Sequence, residues 1–219
     1  MKHTHAITHL LYLHGFRSSP GSAKAQQVAA AIRALRVAGR HIEWCCPQLP
    51  PSPLEAMRLI ERLTLDWPRD ARMGVIGSSL GGFYATVLAQ QQTAIRAVLL
   101  NPAVNPARDL ASQIGELDAW HDPGLKFSFT ADHVAELRAL TPAAITHPQR
   151  YAAVIAKGDE VLDWREMHRR YTGASLRLLE GNDHALSDFG EQHLPFVLDF
   201  FGLGESPESP PAPDGTIGP

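Results

Sequence analysis

The segment Gly77-Ser78-Ser79-Leu80-Gly81-Gly82 carries the most chemically suggestive spacing in the chain, a Gly-x-Ser-x-Gly directly after the β-branched run Val75-Ile76. A serine on a tight strand-to-helix turn is lifted clear of the sheet, where its hydroxyl can attack a carbonyl carbon; this is the nucleophile elbow. Glycines two residues to either side keep Cβ atoms out of a space where strand and helix nearly touch. Ser79 is framed this way, whereas Ser78 has Ile76 and Leu80 at the same places. A helix-like run over 83–91 follows, so Ser79 is the candidate nucleophile.

A serine hydroxyl is a poor nucleophile at neutral pH and needs a base in hydrogen-bond reach, itself oriented by a carboxylate. On a sheet with such a turn, the order along the chain is serine, acid, histidine. Of the eleven histidines, His184 has that order and sits in the polar loop Gly181-Asn182-Asp183-His184 after the last expected strand. Loops at the carboxyl ends of parallel strands open on one edge of the sheet, the edge where Ser79 also emerges. The loop before it offers Asp159, Glu160 and Asp163. Asp159 follows a glycine at the strand end and is the first choice for the acid. Asp163 precedes a helical run and reads as an N-cap, but it stays open as the alternative acid. Glu160 reads as solvated.

Acyl transfer builds negative charge on an oxygen, which needs preorganised donors. The backbone N–H of Leu80 is one expectation, and that of Phe16, in His14-Gly15-Phe16 after the first strand, is the other. His14 is expected to brace this loop rather than serve as a base.

These groups must be positioned by elements, and the chain reads as alternating strands and helices. Strands are predicted over 9–13, 41–46, 72–76, 97–100, 151–156 and 175–179. Most are continuous apolar runs, as expected when helices cover both faces of a sheet. Helices are predicted over 23–37, 53–65, 80–91, 164–171 and 191–201. Ser22 is placed to cap the first and Gly39 to end it, while Ser52-Pro53 reads as a cap followed by proline in the first turn. The fold class is therefore α/β, with about six mainly parallel strands, helices on both faces and a helical insertion after the fourth strand. That insertion, about 102–150, includes a helix-like 130–140 with Thr130 as cap and a looser stretch with Trp120, Phe127 and Phe129. It reads as a lid over the serine or as a packing layer remote from it.

With 219 residues, the chain suits one domain, expected over 1–203, with a disordered tail over 204–219. A net charge of −3 gives no electrostatic footprint for nucleic acid or an anionic membrane. No apolar run is long enough for a stable membrane insertion. Adjacent Cys45 and Cys46 argue against a disulfide framework and fit a cytoplasmic protein, where they serve as small buried groups. His3, His5 and His9 lack acidic or cysteine partners, so no metal is expected. Dinucleotide and phosphate-loop glycine motifs are lacking too, so no cofactor is expected. Arg169-Arg170 reads as a solvated helix face.

Taken together, these pieces resemble an α/β-hydrolase, and more narrowly the small bacterial YqiA-type esterases. The resemblance rests on Tyr12-Leu13-His14-Gly15-Phe16-Arg17-Ser18-Ser19-Pro20, Gly77-Ser78-Ser79-Leu80-Gly81-Gly82-Phe83-Tyr84-Ala85, Asn101-Pro102-Ala103-Val104, Gly158-Asp159-Glu160-Val161-Leu162-Asp163 and Asp183-His184. It runs from about residue 9 to 201 and includes Phe129-Thr130-Ala131-Asp132-His133-Val134-Ala135-Glu136-Leu137. The resemblance implies an esterase acting on small acyl esters or acyl-CoA thioesters, with the family's serine, acid and histidine falling on Ser79, Asp159 and His184. Lys157 and the proline-rich tail depart from the pattern without touching that triad. A thioesterase on the same triad and a hydrolase-like binding protein with an idle site remain as competing readings. The sequence specifies no oligomeric state.

Overall fold

The computed structural model describes residues 6–119 and 122–204. His3, His5, Trp120 and all of the expected disordered tail but its first residue lie outside these residues. In chain order the strands are β1 (His9–Leu13), β2 (Glu43–Cys45), β3 (Met73–Ser78), β4 (Arg96–Leu100), β5 (Gly115–Ala119), β6 (Asp122–Phe129), β7 (Tyr151–Ala156) and β8 (Ser175–Leu179). The helices are α1 (Ala23–Val37), α2 (Pro53–Leu65), α3 (Leu80–Gln91), α4 (Pro106–Asp109), α5 (Ala131–Leu140), α6 (Trp164–Arg170) and α7 (Leu194–Phe200).

Six strands form one sheet in the order β2-β1-β3-β4-β7-β8, and every neighbouring pair is parallel. Successive side chains on a strand point to opposite faces. Leu11, Leu13, Val75, Leu99, Ala153 and Ile155 accordingly pack with α2, α3, α5 and α6 in one apolar cluster. Leu10, Tyr12, Ile76, Val98, Leu100 and Val154 pack with α1 and α7 in a second. Burial on both faces is why these strands read as unbroken apolar runs.

The helix ends follow local chemistry. Ser52 accepts the Glu55 N–H at 3.2 Å with Pro53 beside it, and the Thr130 side chain accepts from His133 N while His133 answers on the Thr130 N–H. Gly39, at φ +86°, ends α1 by donating to Arg36 while Arg40 donates to Leu35, the paired bonds of a left-handed C-terminus. Ser22 stands at the start of α1 but its side chain makes no capping bond. The expected helix over 191–201 is shorter, since a π-turn at Phe189–His193 precedes α7 and Pro195 sits in the first turn of α7.

The insertion is more than helical. β5 and β6 pair antiparallel as a separate hairpin, in the stretch that reads as loose in the sequence. The alternation Leu125-Lys126-Phe127-Ser128-Phe129 is a strand signal, masked by charges and by the Pro123-Gly124 pair before it.

Candidate active site

The chain runs from β1 outward to β2 and then returns across β1 to β3, so the strand order reverses between β1 and β3. The carboxyl ends of two such strands splay apart and leave a crevice. The loop His14-Gly15-Phe16 leaves one side of it and Ser79 the other. Ser79 has φ 54° and ψ −120°, a strained conformation for a residue with a side chain. The surroundings hold it there. Its N–H donates to the Leu100 carbonyl at 2.9 Å, and its own carbonyl accepts from Gly82 and Ala103 at 2.9 and 3.0 Å. A Cβ on Gly77 would meet the backbone of Gly81 and Gly82, so the turn closes only with glycine there.

His184 Nε2 lies 3.0 Å from Ser79 Oγ. On the ring's other side, Nδ1 lies 2.7 Å from Asp159 Oδ2. A carboxylate only accepts, so Nδ1–H donates to it and Nε2 is left to accept the Ser79 hydroxyl proton. The Asp159 side chain is fully buried, against 20% exposure for that of His184. Its second oxygen accepts the N–H groups of Val161 and Leu162, each at 2.8 Å. Three donors thus hold one carboxylate in place. Asp163 instead caps α6, accepting the Arg165 N–H at 2.9 Å.

The loop that carries His184 is tied down as well. Ser187 donates to Asp183 through its N–H and its hydroxyl, and these bonds hold the Asp183 carboxyl below the usual carboxylate range. The Lys24 ammonium donates to the Ala185 carbonyl. Burial lowers the Lys24 pKa, with Asp183 and Asp159 pulling it the other way.

On the facing loop, His14 Nε2 accepts the Leu49 N–H at 3.0 Å, which leaves Nδ1–H to donate to the Gly15 carbonyl at 2.9 Å. His14 therefore braces the loop, as expected. Gly15 comes so close that a Cβ there would stand 3.3 Å from Ser79 Cβ. Leu80 is the first residue of α3, where a backbone N–H has no intrahelical partner.

Beside the elbow opens a cavity of about 470 Å³, lined by Phe16, Leu49, Leu80 and Tyr84 from the main domain and by Leu125 and Phe127 from the hairpin. Ser79 does not line it, but its neighbours Gly15 and Leu80 do. Phe16 meets Phe127 and Phe129 edge-on at 6.0 and 5.1 Å. The hairpin is also tied to the loop by Arg17 Nε, which donates to the Asp118 carbonyl at 2.8 Å. The rest of the insertion packs on the domain: Glu136 of α5 accepts from Ser52 and Leu54 at the start of α2.

Ser79, Asp159 and His184 meet, with Phe16 and Leu80 beside them. Besides Lys24, sequence reading gave no role to two residues that touch the His184 loop. Glu160, read as solvated, is exposed yet accepts the His184 N–H at 3.0 Å. Asn101, at the end of β4, donates to the carbonyls of Asp183 and His184. Arg170, read as part of a solvated face, donates to the carbonyls of Pro142 and Ala143. Cys45 and Cys46 are half-buried free thiols, and burial raises the pKa of both. Among the described residues, no three His, Cys, Asp or Glu side chains gather as a metal site, and no helix is long and apolar enough to cross a membrane.

Over residues 9–202 the chain matches a family described as "Uncharacterised protein family (UPF0227)". Solved structures with similar folds include the alpha/beta hydrolase domain-containing protein 10 from mouse, at TM-score 0.65 and 14% identity, covering 91% of this chain and 90% of that one. Est1E from Butyrivibrio proteoclasticus gives 0.63 and 14%, covering 91% and 88%. A pyrethroid hydrolase from Sphingobium faniae JZ-2 gives 0.56 and 15%, covering 89% and 97%. At such identities the likeness is one of fold, and the fold is that of the α/β-hydrolases.

Proposed function

The chain belongs to the UPF0227 family, and we propose that it is a serine hydrolase that cleaves small acyl esters through an acyl-enzyme. The observation that carries this is the line of hydrogen bonds from the buried Asp159 through His184 to Ser79, ending on a strained turn that presents the hydroxyl. Strain at a residue held by its surroundings marks a site where geometry serves chemistry.

In this reading Ser79 Oγ attacks the ester carbonyl carbon as His184 Nε2 takes the hydroxyl proton. Asp159 holds the resulting imidazolium through Nδ1–H. The carbonyl π electrons move to oxygen, where the N–H groups of Leu80 and Phe16 stabilise the charge. The tetrahedral centre collapses, the C–O bond to the alcohol breaks, and His184 returns the proton to the leaving oxygen. Water, deprotonated by the same imidazole, then attacks the acyl carbon, the acyl C–Oγ bond breaks, and His184 returns the proton to Ser79 Oγ as the acid leaves. The apolar cavity takes one half of the ester, and the segment 102–150 serves as a lid-like cover. That two of the similar folds are named Est1E and a pyrethroid hydrolase agrees with an ester substrate.

A fluorophosphonate should label Ser79, and Ser79→Ala should lose both the label and most hydrolysis of simple acyl esters. A residual about 10³–10⁴ over water is compatible with intact oxyanion donors. Wild-type turnover by Ser79→Ala would end the proposal. An acyl-CoA and an oxygen ester of equal chain length, assayed together, separate thioester from oxygen-ester preference.

A further inference from the structure

Asn101 closes β4 as a buried residue, 1% exposed, with a left-handed backbone at φ +40°. Its Oδ1 accepts the N–H of Ala156, the last residue of β7, at 2.8 Å. Its Nδ2 donates to the carbonyls of Asp183 at 3.1 Å and His184 at 3.2 Å. The backbone on either side adds to this. The Asn101 N–H donates to Val154, and the preceding Leu100 carbonyl accepts from Ser79. One residue therefore joins the elbow, the strand that leads to the acid and the loop that bears the base.

The partners fix which way the amide faces. A backbone N–H can meet only the oxygen, and two carbonyls can meet only the nitrogen. The requirement is unusual, because the loop around His184 is not held by strand pairing and turns through left-handed residues at Asn182 and Leu186. Its two carbonyls point inward to a place where water is scarce and an unpaired carbonyl is costly. A carboxamide supplies two donors on one nitrogen and an acceptor beside them, and asparagine also tolerates the left-handed backbone.

We infer that Asn101 is a positioning residue: its carboxamide fastens the main chain of the His184 loop to the end of β7 and so keeps the imidazole between Asp159 and Ser79. This rests on the hydrolase reading for its catalytic consequence, though not for the geometry. Asn101 does not line the cavity, so it acts on turnover and not on substrate binding.

The test uses the full chain with Asn101→Asp, which keeps size, acceptor and backbone preference but turns the double donor into an acceptor facing two carbonyls. Asn101→Gly keeps the backbone freedom and removes the side chain altogether. With folding verified by thermal unfolding, either variant should lower kcat about 100-fold, the size of effect that a displacement of about 1 Å produces. KM should stay within about twofold, and fluorophosphonate labelling of Ser79 should slow in parallel with kcat. Proton NMR gives a readout that needs no turnover: the hydrogen-bonded Nδ1–H of His184 should be visible in the wild type and lost to exchange in the variants. If Ser79→Ala keeps full activity while that signal still depends on Asn101, the hydrolase reading fails and the positioning stands. A variant with unchanged kcat and an unchanged imidazole signal overturns the inference. So does a rise in KM that accounts for the whole loss, or a failure of both variants to fold.

Discussion

Gly81 is pressed so closely against the end of β1 that a Cβ on it would run into the carbonyl of Leu13. The helix that follows Ser79 and the strand that launches the loop His14-Gly15-Phe16 are therefore in backbone contact. The distance between the serine and the proposed amide donors is set there, by two main chains with no adjustable side chain between them.

Gly81→Ala should for that reason be costly in both stability and activity. The added methyl has backbone on its far side and nowhere to move, and overpacking of this kind costs about 1–3 kcal/mol or more. Urea unfolding should show a lower midpoint at unchanged slope, and labelling of the remaining folded protein by a fluorophosphonate should slow. A variant as stable and as reactive as the wild type would show that strand and turn can part.

Asparagine at 159 and at 163 should have unlike consequences. Asp159→Asn offers an NH₂ where His184 Nδ1–H needs an acceptor, favouring the wrong tautomer, a change that costs about 10⁴ in kcat in a triad of this type. Asp163→Asn leaves a competent N-cap on α6 and should cost well under 1 kcal/mol with kcat almost unchanged. Steady-state kinetics on one ester decides between them, and a larger loss at 163 would reverse the assignment.

Phe127→Ala should open the cavity wall on the hairpin side. The ring stacks edge-on against Phe16 and faces the apolar space beside the elbow. Losing the contact of this half-buried ring, about 1.5 kcal/mol, corresponds to roughly a tenfold rise in KM for an apolar ester. A short acetyl ester, which does not reach that wall, should be affected much less. Equal effects on both would detach the hairpin from substrate selection.

What could be read in the sequence divides along physical lines. Ser79, Asp159 and His184 were legible because each is tied to a strand end, and parallel strands send all their carboxyl ends to one edge. β1 and β7 were legible to the residue because both faces are buried and the apolar runs have sharp ends, and the half-buried edge strand β8 also fell on its expected range. The hairpin was not, because only one face of it packs on the core, through Leu117, Phe127 and Phe129, while Glu116, Asp118 and Lys126 break the apolar run in between. Asn101 and Glu160 were missed for a different reason. Their partners are main-chain groups of a loop far away in sequence, and no local pattern records which backbone atoms will arrive there.

Alkali should unfold this protein through its tyrosines. All four, Tyr12, Tyr84, Tyr151 and Tyr171, are at most 2% exposed, and burial raises every phenol above its ordinary pKa, Tyr171 to about 12. In the unfolded chain these groups lose their protons near pH 10. Between that pH and the folded-state values, the unfolded state binds fewer protons than the folded one, so stability falls as pH rises. The contribution is complete below about pH 10 and, for Tyr171, is lost progressively up to about pH 12. Tyrosinate absorbance should therefore stay low at pH 10 and rise together with the loss of far-ultraviolet circular dichroism, in one transition at higher pH. Ionisation of phenols at pH 10 with the dichroism intact would mean that the rings are reached by water in the folded state, contrary to the packing of Tyr12 against Trp44 and of Tyr151 against Tyr171.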